Sequence, residues 1–396
     1  MIHNQPLKKA TVLGAGSMGH GIAQLMAMTG VDVTLVDVND EILDKARENV
    51  QWSVQKLVQK GKVSKNDADE AMAHLHTTTK LNHACENADL IIEAIPENLE
   101  IKKKLFAQVD KLAPEHAILG SNTSTLSITE LGKATGRPDK VVGLHFFNPP
   151  QLMPLLEIIK GNQTSEKTLE FAGEFAKRLN KTPVLVRKDV RGFIVNGILS
   201  AVLNESFWIV ERKDASKDEI DAAMKYKAGF PMGMFELVDL VGLDVHDSVA
   251  KQMESAFGAR AKACPILEPL IKAGKLGKKT GEGFYYWGAG RPQVPPELAE
   301  KFDPDRLYTV AANAAAWLVY DGVASPRDID TAMKLGTGWP FGPCELADKM
   351  GIDVVVNRLS LLHAKYPEPM YEACPILLEY IKNGWLGNKT GRGFHK

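Results

Sequence analysis

The stretch ATVLGAGSMG, residues 10–19, decides the fold of the first part of the chain. Its first four residues form a short apolar run typical of a buried strand, and Gly14, Gly16 and Gly19 follow in the spacing GxGxxG. A helical pattern rich in small residues comes next, over residues 20–28. The sequence therefore predicts a strand, a glycine turn and a helix whose unpaired N–H groups and dipole can hold a pyrophosphate.

Five residues of this loop have a predicted role in binding a dinucleotide. Gly14 permits the tight turn, Gly16 lets the backbone approach the pyrophosphate, and Gly19 allows the helix to pack closely on the strand. Ser17 and Met18 complete the loop and are assigned to the same cofactor. Because the motif sits between a predicted strand and a predicted helix, the context favours binding over an ordinary glycine-rich turn.

Asp37 indicates which dinucleotide is bound. It ends the next predicted strand, 18 residues beyond Gly19, where a carboxylate can hydrogen-bond the 2′-hydroxyl of a ribose. The same charge repels a 2′-phosphate. The predicted cofactor is therefore NAD rather than NADP.

Further apolar runs alternate with helical patterns over residues 1–187. The runs are DVTLVDV, ADLIIEAI, AILGSNT and VVGLHFF. This alternation predicts an α/β fold, with a Rossmann-type doubly wound parallel sheet and crossover helices. From Asp189 onward strand patterns nearly vanish, and apolar residues recur at helical spacing to the end of the chain.

The second half of the chain contains an internal repeat. Residues 215–245 match residues 324–354 at 16 of 31 positions, and residues 263–286 match residues 373–396 at 15 of 24 positions. Such self-similarity indicates a duplicated all-α domain, divided near the segment RPQVPP. The predicted domains are an NAD-binding domain over 1–187 and two tandem all-α domains over 188–292 and 293–396.

Composition excludes several other classes of protein. Lys and Arg number 48 against 49 Asp and Glu, a balance that argues against nucleic-acid binding and against polybasic attachment to membranes. No apolar run approaches the roughly 18 residues that a membrane-spanning helix needs, and residues 1–14 have no hydrophobic signal segment. The four cysteines lack metal-site spacing, so we expect reduced thiols, no metal and a cytoplasmic location.

Two polar segments follow predicted strands and are candidates for the substrate site. Residues 121–125, SNTST, come after the strand AILG, where ligands bind in such sheets, although they also suit a helix N-cap. His145 ends the strand VVGLHFF, and Glu157 lies in the next apolar run. A carboxylate in an apolar strand is costly unless paired, so adjacent runs would let Glu157 orient His145 as a general base.

The motifs GAGSMGHGIA, SNTSTLSI, GLHFFNPP, LLEI, RGFIVN, ASKDEIDAAMKYKAGFPMG and KKTGEGFY, in this order, resemble the L-3-hydroxyacyl-CoA dehydrogenase family. The resemblance covers residues 7–287, and the duplicated domain extends it to residue 396. It implies NAD-dependent oxidation of (S)-3-hydroxyacyl-CoA to 3-oxoacyl-CoA, for example of 3-hydroxybutyryl-CoA to acetoacetyl-CoA.

The resemblance also implies roles for individual residues. His145 would be the base and Glu157 its partner, with Ser124 and Asn196 at the substrate or its water network. The residues assigned to the cofactor outside the glycine loop are Glu97, Lys102, Asn122 and Lys279. Those assigned to the substrate and its CoA moiety are Ser53, Lys60, Ser124 and Asn148. The charged stretch 41–62 suits either a solvated amphipathic helix pair or a surface where Lys56, Lys60 and Lys62 meet CoA phosphates.

Two features differ from the short members of that family. Short members have one helical domain and dimerise through it, whereas this chain has two, as in the dehydrogenase part of the multifunctional fatty-acid oxidation alpha subunits. We therefore expect the two copies to form a pseudo-dimer within one chain, which favours a monomer. The hydratase part of those subunits is absent. The chain is thus either a stand-alone enzyme or a piece of a longer one, and a separate enoyl-CoA hydratase is the protein partner suggested.

Two other functions are compatible with a dinucleotide-binding sheet. One is a dehydrogenase of free 3-hydroxy acids or sugar acids, many of which use a lysine base rather than a His–Glu pair. The other is a catalytically silent NAD-binding structural protein, whose expected mark is loss of His145 or Glu157. Both residues are present.

Overall fold

The computed structural model describes residues 7–395. These residues divide into two compact units, with the boundary between Val190 and Arg191. The first unit is built on one large sheet, and the second consists of helices with isolated bridges. The predicted class, a Rossmann-type α/β region followed by an all-α region, is confirmed.

The sheet of the first unit has eight strands. They are β1 (Lys9–Leu13), β2 (Asp32–Val36), β3 (Leu75–Thr78), β4 (Leu90–Glu93), β5 (Ile118–Ser121), β6 (Val141–Phe146), β7 (Leu155–Ile159) and β8 (Thr182–Val186). Their order across the sheet is β3-β2-β1-β4-β5-β6-β7-β8. The order reverses between β1 and β4, and ligands bind at the carboxyl ends of the strands beside such a reversal.

The predicted parallel arrangement holds for the first six strands of the sheet but not for the last two. The first six strands run parallel, but β7 pairs with β6 in the antiparallel sense, and β8 runs parallel to β7. The loop of residues 147–154 explains this, because it is shorter than the dozen or so residues that a parallel crossover requires. Strand β3, with the polar sequence LHTT, did not stand out as an apolar run.

Seven α-helices accompany the sheet. They are α1 (Ser17–Ala27), α2 (Asp40–Gln59), α3 (Lys65–Ala73), α4 (Leu81–Cys85), α5 (Leu99–Leu112), α6 (Ile128–Gly132) and α7 (Glu166–Arg178). Helices α1 and α7 bury Ile22 and Phe175 in the same apolar core as the sheet. The charged helix was expected to reach residue 62. It ends at Gln59 instead, because the backbone turns at Gly61 with φ +65°.

The second unit contains two sets of five α-helices. The first set is α8 (Val195–Glu211), α9 (Lys217–Ala222), α10 (Met234–Val241), α11 (Leu243–Phe257) and α12 (Leu267–Lys272). The second set is α13 (Asp305–Tyr320), α14 (Pro326–Thr337), α15 (Pro343–Met350), α16 (Ile352–Lys365) and α17 (Pro375–Lys382). The two sets follow the two repeats of the sequence.

The repeats also preserve individual hydrogen bonds. Asn204 on α8 donates to the Lys262 carbonyl and accepts from the Cys264 amide, both at 2.9 Å. Asn313 on α13 makes the same two bonds, to the Glu372 carbonyl and from the Cys374 amide, again at 2.9 Å. An asparagine at the same repeat position therefore anchors the segment before the last helix in each copy.

The two helical copies contact each other through charged groups. Arg306 of the second copy donates to Glu205 of the first at 2.7 Å and to Asp214 at 2.6 Å. Tyr371 of the second copy donates to the other oxygen of Glu205 at 2.7 Å. Glu205 is 1% exposed, so this carboxylate depends on its partners from the other copy.

Candidate active site

The glycine loop joins β1 to α1 and has the geometry that its sequence predicts. Gly14 has φ +99°, a left-handed conformation that favours glycine. A Cβ on Gly19 would stand 1.7 Å from the Gly14 carbonyl oxygen, so only glycine lets the helix approach the strand this closely. In contrast, a Cβ on Gly16 would have no described atom within 4 Å. The backbone at Gly16 therefore faces open space, as the approach of a pyrophosphate requires.

The remaining loop residues lie at the start of α1. Ser17 is exposed and Met18 packs partly against the sheet core. A surface cleft beside them is lined by Ala15, Gly16, Ser17 and His20 and by residues of α2. The N-terminus of α1 thus opens onto a cleft.

Asp37 follows β2 directly and reaches back to the glycine loop. Its Oδ2 accepts a hydrogen bond from the Ala15 amide at 2.7 Å, and its Oδ1 accepts from the Val38 amide at 2.7 Å. These bonds fix the carboxylate beside the turn that would hold the pyrophosphate. The role of Asp37 in recognising the adjacent ribose stays a prediction.

His145 and Glu157 stand opposite each other on β6 and β7. His145 Nδ1 lies 2.7 Å from Glu157 Oε2, and the two residues are 5% and 0% exposed. Because an ionised carboxylate only accepts hydrogen bonds, this pairing assigns the role of donor to Nδ1 of His145. The Phe147 ring, with its centroid 4.4 Å from that of His145, packs against the imidazole.

The polar segment after β5 is organised around Glu97. Glu97 Oε1 accepts from Thr123 Oγ1 at 2.5 Å and from the Ser124 amide at 2.9 Å. Burial by itself would raise the pKa of Glu97, but Lys102 and these hydrogen bonds outweigh it and lower the pKa below its usual value. Glu97 is therefore charged at neutral pH and holds the segment that contains Ser124.

Asn122 contacts the strand that carries His145, and Asn148 follows that strand in the chain. Asn122 follows β5, and its side-chain oxygen accepts from the Phe146 amide at 2.9 Å. This bond links the SNTST segment to the residue next to His145. Asn148 is exposed in the loop that leads from β6 to β7.

Lys102 is buried, unlike a side chain that extends into solvent to contact a cofactor. It is 1% exposed, and its ammonium contacts Glu93 at 2.5 Å and Glu97 at 3.1 Å. Glu93, which sequence reasoning did not single out, is itself 1% exposed at the end of β4. The signal was available, because Glu93 lies within the apolar run ADLIIEAI and a buried carboxylate needs a partner.

The residues assigned to CoA lie on or just after α2. Ser53 is half-buried within the helix, while Lys60 is exposed directly after its last turn. Lys56 is also exposed, with its ammonium 5.9 Å from the centroid of the Trp52 ring. Lys62 lies beyond Gly61, outside the helix.

Asn196 and Lys279 belong to the second unit. Asn196 is the second residue of α8. Lys279 contacts Asp244 at 2.5 Å, and the corresponding pair Lys389–Asp353 forms in the second copy. Since the pair recurs in both copies, this contact of Lys279 belongs to the repeated fold, and its role toward the cofactor stays a prediction.

The carboxyl ends of β1, β2, β4, β5 and β6 bring most of the predicted residues to one edge of the sheet. That edge combines a loop suited to a pyrophosphate, an acidic residue suited to a ribose and a buried His–Glu pair. These are the features of an oxidoreductase that uses a nicotinamide dinucleotide.

The chain belongs to the 3-hydroxyacyl-CoA dehydrogenase family. The family model of the NAD binding domain matches residues 9–190, and that of the C-terminal domain matches residues 192–287 and 302–396. The chain is accordingly an oxidoreductase that acts on a CH–OH group with NAD as cofactor. The second match places both helical copies in the same family of domains.

Known relatives cover either the first part of the chain or nearly all of it. The hydroxyacyl-coenzyme A dehydrogenase of Sus scrofa mitochondria is 45% identical over 70% of this chain and 91% of its own length. The 3-hydroxyadipyl-CoA dehydrogenase of Escherichia coli K12 is 30% identical over 94% of this chain and 97% of its own. A crystal structure of 3-hydroxybutyryl-CoA dehydrogenase from Escherichia coli matches with a TM-score of 0.90 at 28% identity, covering 96% of this chain and all of that one.

Membrane-spanning helices and clusters of metal-binding side chains are absent from residues 7–395. None of the helices described there is long and apolar enough to cross a membrane. The four cysteines are buried thiols without disulfide partners, and this part of the chain contains no group of three His, Cys, Asp or Glu side chains arranged to hold a metal.

Proposed function

We propose that this protein oxidises (S)-3-hydroxyacyl-CoA to 3-oxoacyl-CoA, with His145 as the general base. The observation that carries the proposal is the buried His145–Glu157 pair, 2.7 Å apart, at the same sheet edge as the glycine loop. Relatives named for 3-hydroxybutyryl-CoA and 3-hydroxyadipyl-CoA support an acyl-CoA as substrate.

The His–Glu pair accounts for the proton that leaves the substrate. Nδ1 of His145 donates to Glu157, so Nε2 takes up the proton of the substrate hydroxyl. Glu157 then stabilises the imidazolium that forms. The chemistry that NAD supplies when bound at the glycine loop is acceptance of the hydride from the same carbon.

Other residues of the chain hold the reacting groups in place. Glu97 orders the segment that presents Ser124, and Asn122 ties this segment to the strand of His145. Ser124, Asn148 and Asn196 are proposed to orient the acyl group. Fixed positions of this kind lower the entropic part of the barrier, because the reacting atoms need not search for each other.

The test of the proposed function is turnover of acetoacetyl-CoA with NADH, followed by loss of nicotinamide absorbance. Steady turnover is the expected result. A protein that binds NADH but converts neither acetoacetyl-CoA nor longer 3-oxoacyl-CoA would instead fit the silent structural protein.

The CoA moiety is expected to raise the rate at the distant acyl group. Contacts from Ser53, Lys60 and their neighbours to a phosphorylated carrier supply binding energy that is used at the reacting carbon. We therefore expect kcat/KM for 3-hydroxybutyryl-CoA to exceed that for free 3-hydroxybutyrate by at least about 100-fold. Similar values for the two substrates would move the enzyme to the class that acts on free hydroxy acids.

Asp37 is expected to determine the choice between NADH and NADPH. Asp37→Ala should weaken NADH binding and narrow the difference from NADPH, since both the acceptor for the ribose hydroxyl and the repulsion of a 2′-phosphate are lost. Asp37→Asn retains an acceptor for the Ala15 amide but removes the charge, so it separates the two effects. Dissociation constants from nicotinamide fluorescence give the comparison. A parent protein that already uses NADPH as well as NADH would contradict the assignment.

We also propose that the two helical copies replace a dimer. The contacts of Arg306 and Tyr371 with Glu205 join the copies within one chain, and a linked copy is present at a high effective concentration. Light scattering of the intact protein should therefore give a mass near 43.4 kDa. A mass of twice that value would show that another surface mediates dimerisation.

A further inference from the structure

A closed ring of hydrogen bonds lies beneath the segment that carries Ser124. We call it the Glu93 ring. Its members are Glu93, Lys102, Glu97, Thr123 and Ser121. It connects the end of β4, helix α5 and the end of β5, three elements that meet at the candidate active site.

The ring can be followed atom by atom from Glu93. Its Oε1 accepts from Lys102 Nζ at 2.5 Å, and its Oε2 accepts from Ser121 Oγ at 2.6 Å. Lys102 Nζ also lies 3.1 Å from Glu97 Oε2. The other Glu97 oxygen accepts from Thr123 Oγ1 at 2.5 Å, and the Thr123 amide donates to Ser121 Oγ at 3.2 Å, which closes the ring.

The contacts of Lys102 show how it acts. Its ammonium has three hydrogens, and it has three acceptors here: Glu93, Glu97 and the carbonyl of Ile95 at 3.2 Å. With its donors used and its side chain 1% exposed, Lys102 transmits the position of Glu93 to Glu97. Glu97 in turn contacts both the amide and, at 3.3 Å, the hydroxyl of Ser124.

We propose that Glu93 is a positioning residue for the dehydrogenase reaction, acting through the ring on the hydroxyl of Ser124. This inference rests on the proposed function, in which Ser124 orients the acyl group. Glu93 receives hydrogen bonds from Lys102, from Ser121 and, at 2.8 Å, from the Ile95 amide. The Glu93 carboxylate therefore fixes two chain segments, the one after β4 through Ile95 and the end of β5 through Ser121. Ser124 follows the second segment and is hydrogen-bonded to Glu97 in the first.

The amide variant Glu93→Gln tests the charge and the acceptors with little change of volume. Its NH2 group can donate but not accept, so either Lys102 or Ser121 loses its acceptor. We expect kcat to fall roughly 10- to 100-fold, the loss that a displacement of about 1 Å can cause. The dissociation constant of NADH should change by a smaller factor than kcat, since the glycine loop and Asp37 are intact.

The matched control is Glu100→Gln on the same helix. Glu100 pairs with Lys103 at 3.2 Å and is 72% exposed, so the same chemical change removes an ion pair in water. An exposed pair contributes little, and this variant should retain the kcat of the parent.

A double-mutant cycle with Ser124→Ala separates positioning from general damage. If Glu93 acts through the Ser124 hydroxyl, Glu93→Gln should lower kcat in the parent but should have little further effect in the Ser124→Ala background. A loss caused by general loosening of the site would have the same factor in both backgrounds. Equal factors, or an unchanged kcat in Glu93→Gln, would overturn the proposal.

Ser121→Ala provides a milder second variant should Glu93→Gln fail to fold. It removes only the hydroxyl between Glu93 and Thr123, and we expect a kcat loss of about threefold that also disappears in the Ser124→Ala background. An unchanged kcat in Ser121→Ala would count against the ring. Failure of the proposed function is recognised separately, because the parent protein would then not turn over acetoacetyl-CoA at all.

Discussion

Replacing His145 with glutamine is expected to lower kcat at least about 100-fold, the lower end of what a general base contributes. Glutamine keeps a polar side chain opposite Glu157 but cannot accept the hydroxyl proton. NADH affinity should change little, because the glycine loop lies on β1 and α1 rather than on β6. Glu157→Gln should also lower kcat, since it removes the charge that stabilises the imidazolium.

A second histidine–carboxylate pair supplies the control for this experiment. His116 and Asp89, 3.0 Å apart, precede β5 and β4 and so lie at the amino edge of the sheet. His116→Gln is the same change at the edge remote from the site and should leave kcat unchanged. If the kcat of His145→Gln stays within a few-fold of the parent value and that of His116→Gln is unchanged, another group must be the base.

Replacing Arg306 with alanine is expected to lower the free energy of unfolding of the second unit by about 3–5 kcal/mol, the cost of stranding one partner of a buried ion pair. Glu205 would keep the hydrogen bond from Tyr371 but lose its cation. Urea unfolding followed by circular dichroism measures the change. Lys334→Ala, which removes the more exposed pair with Glu345, should cost less than about 1 kcal/mol.

The loss in Arg306→Ala should depend on pH. Burial raises the pKa of Glu205 above its usual value even beside Arg306, and removal of Arg306 raises that pKa further. A carboxyl whose pKa is higher in the folded state than in the unfolded state destabilises the folded state at pH values above its ordinary pKa. Lowering the pH protonates the group and removes this destabilisation. The deficit should therefore be larger near pH 8 than near pH 5. An equal deficit at both values would mean that stranded charge is not its cause.

Packing between the copies offers a complementary check. Glu205→Leu combined with Arg306→Met replaces the ion pair with apolar side chains and should recover most of the lost stability.

At the repeat offset of 109 residues, Glu205 aligns with Ala314 and Arg306 with Gly197. Neither aligned residue is charged. The ion pair between Glu205 and Arg306 therefore favours contact of a first copy with a second copy over contact between two first copies or two second copies.

Local sequence was sufficient to predict the geometry of the dinucleotide loop. Strand propensity, the conformational freedom of Gly14 and the spacing to Gly19 and Asp37 all lie within residues 10–37, so neighbours in sequence determine their geometry. The His145–Glu157 pair was predicted only on the condition that two apolar runs are adjacent. The antiparallel register of β6 and β7 supplies that adjacency.

The sequence by itself determined the α/β class, the duplication of the helical domain and the cofactor loop, because periodicity, glycine spacing and motif order are local properties. It also singled out His145 and Glu157 as the candidate base and its partner. Only the tertiary structure decided that the last two strands run against the first six, that Lys102 is enclosed rather than exposed, and that Glu93 closes a ring with residues up to 30 positions away. The physical reason is that a buried charge must find its partners wherever the chain brings them. Which carboxylate, ammonium and hydroxyl meet is settled by strand order, not by neighbouring residues.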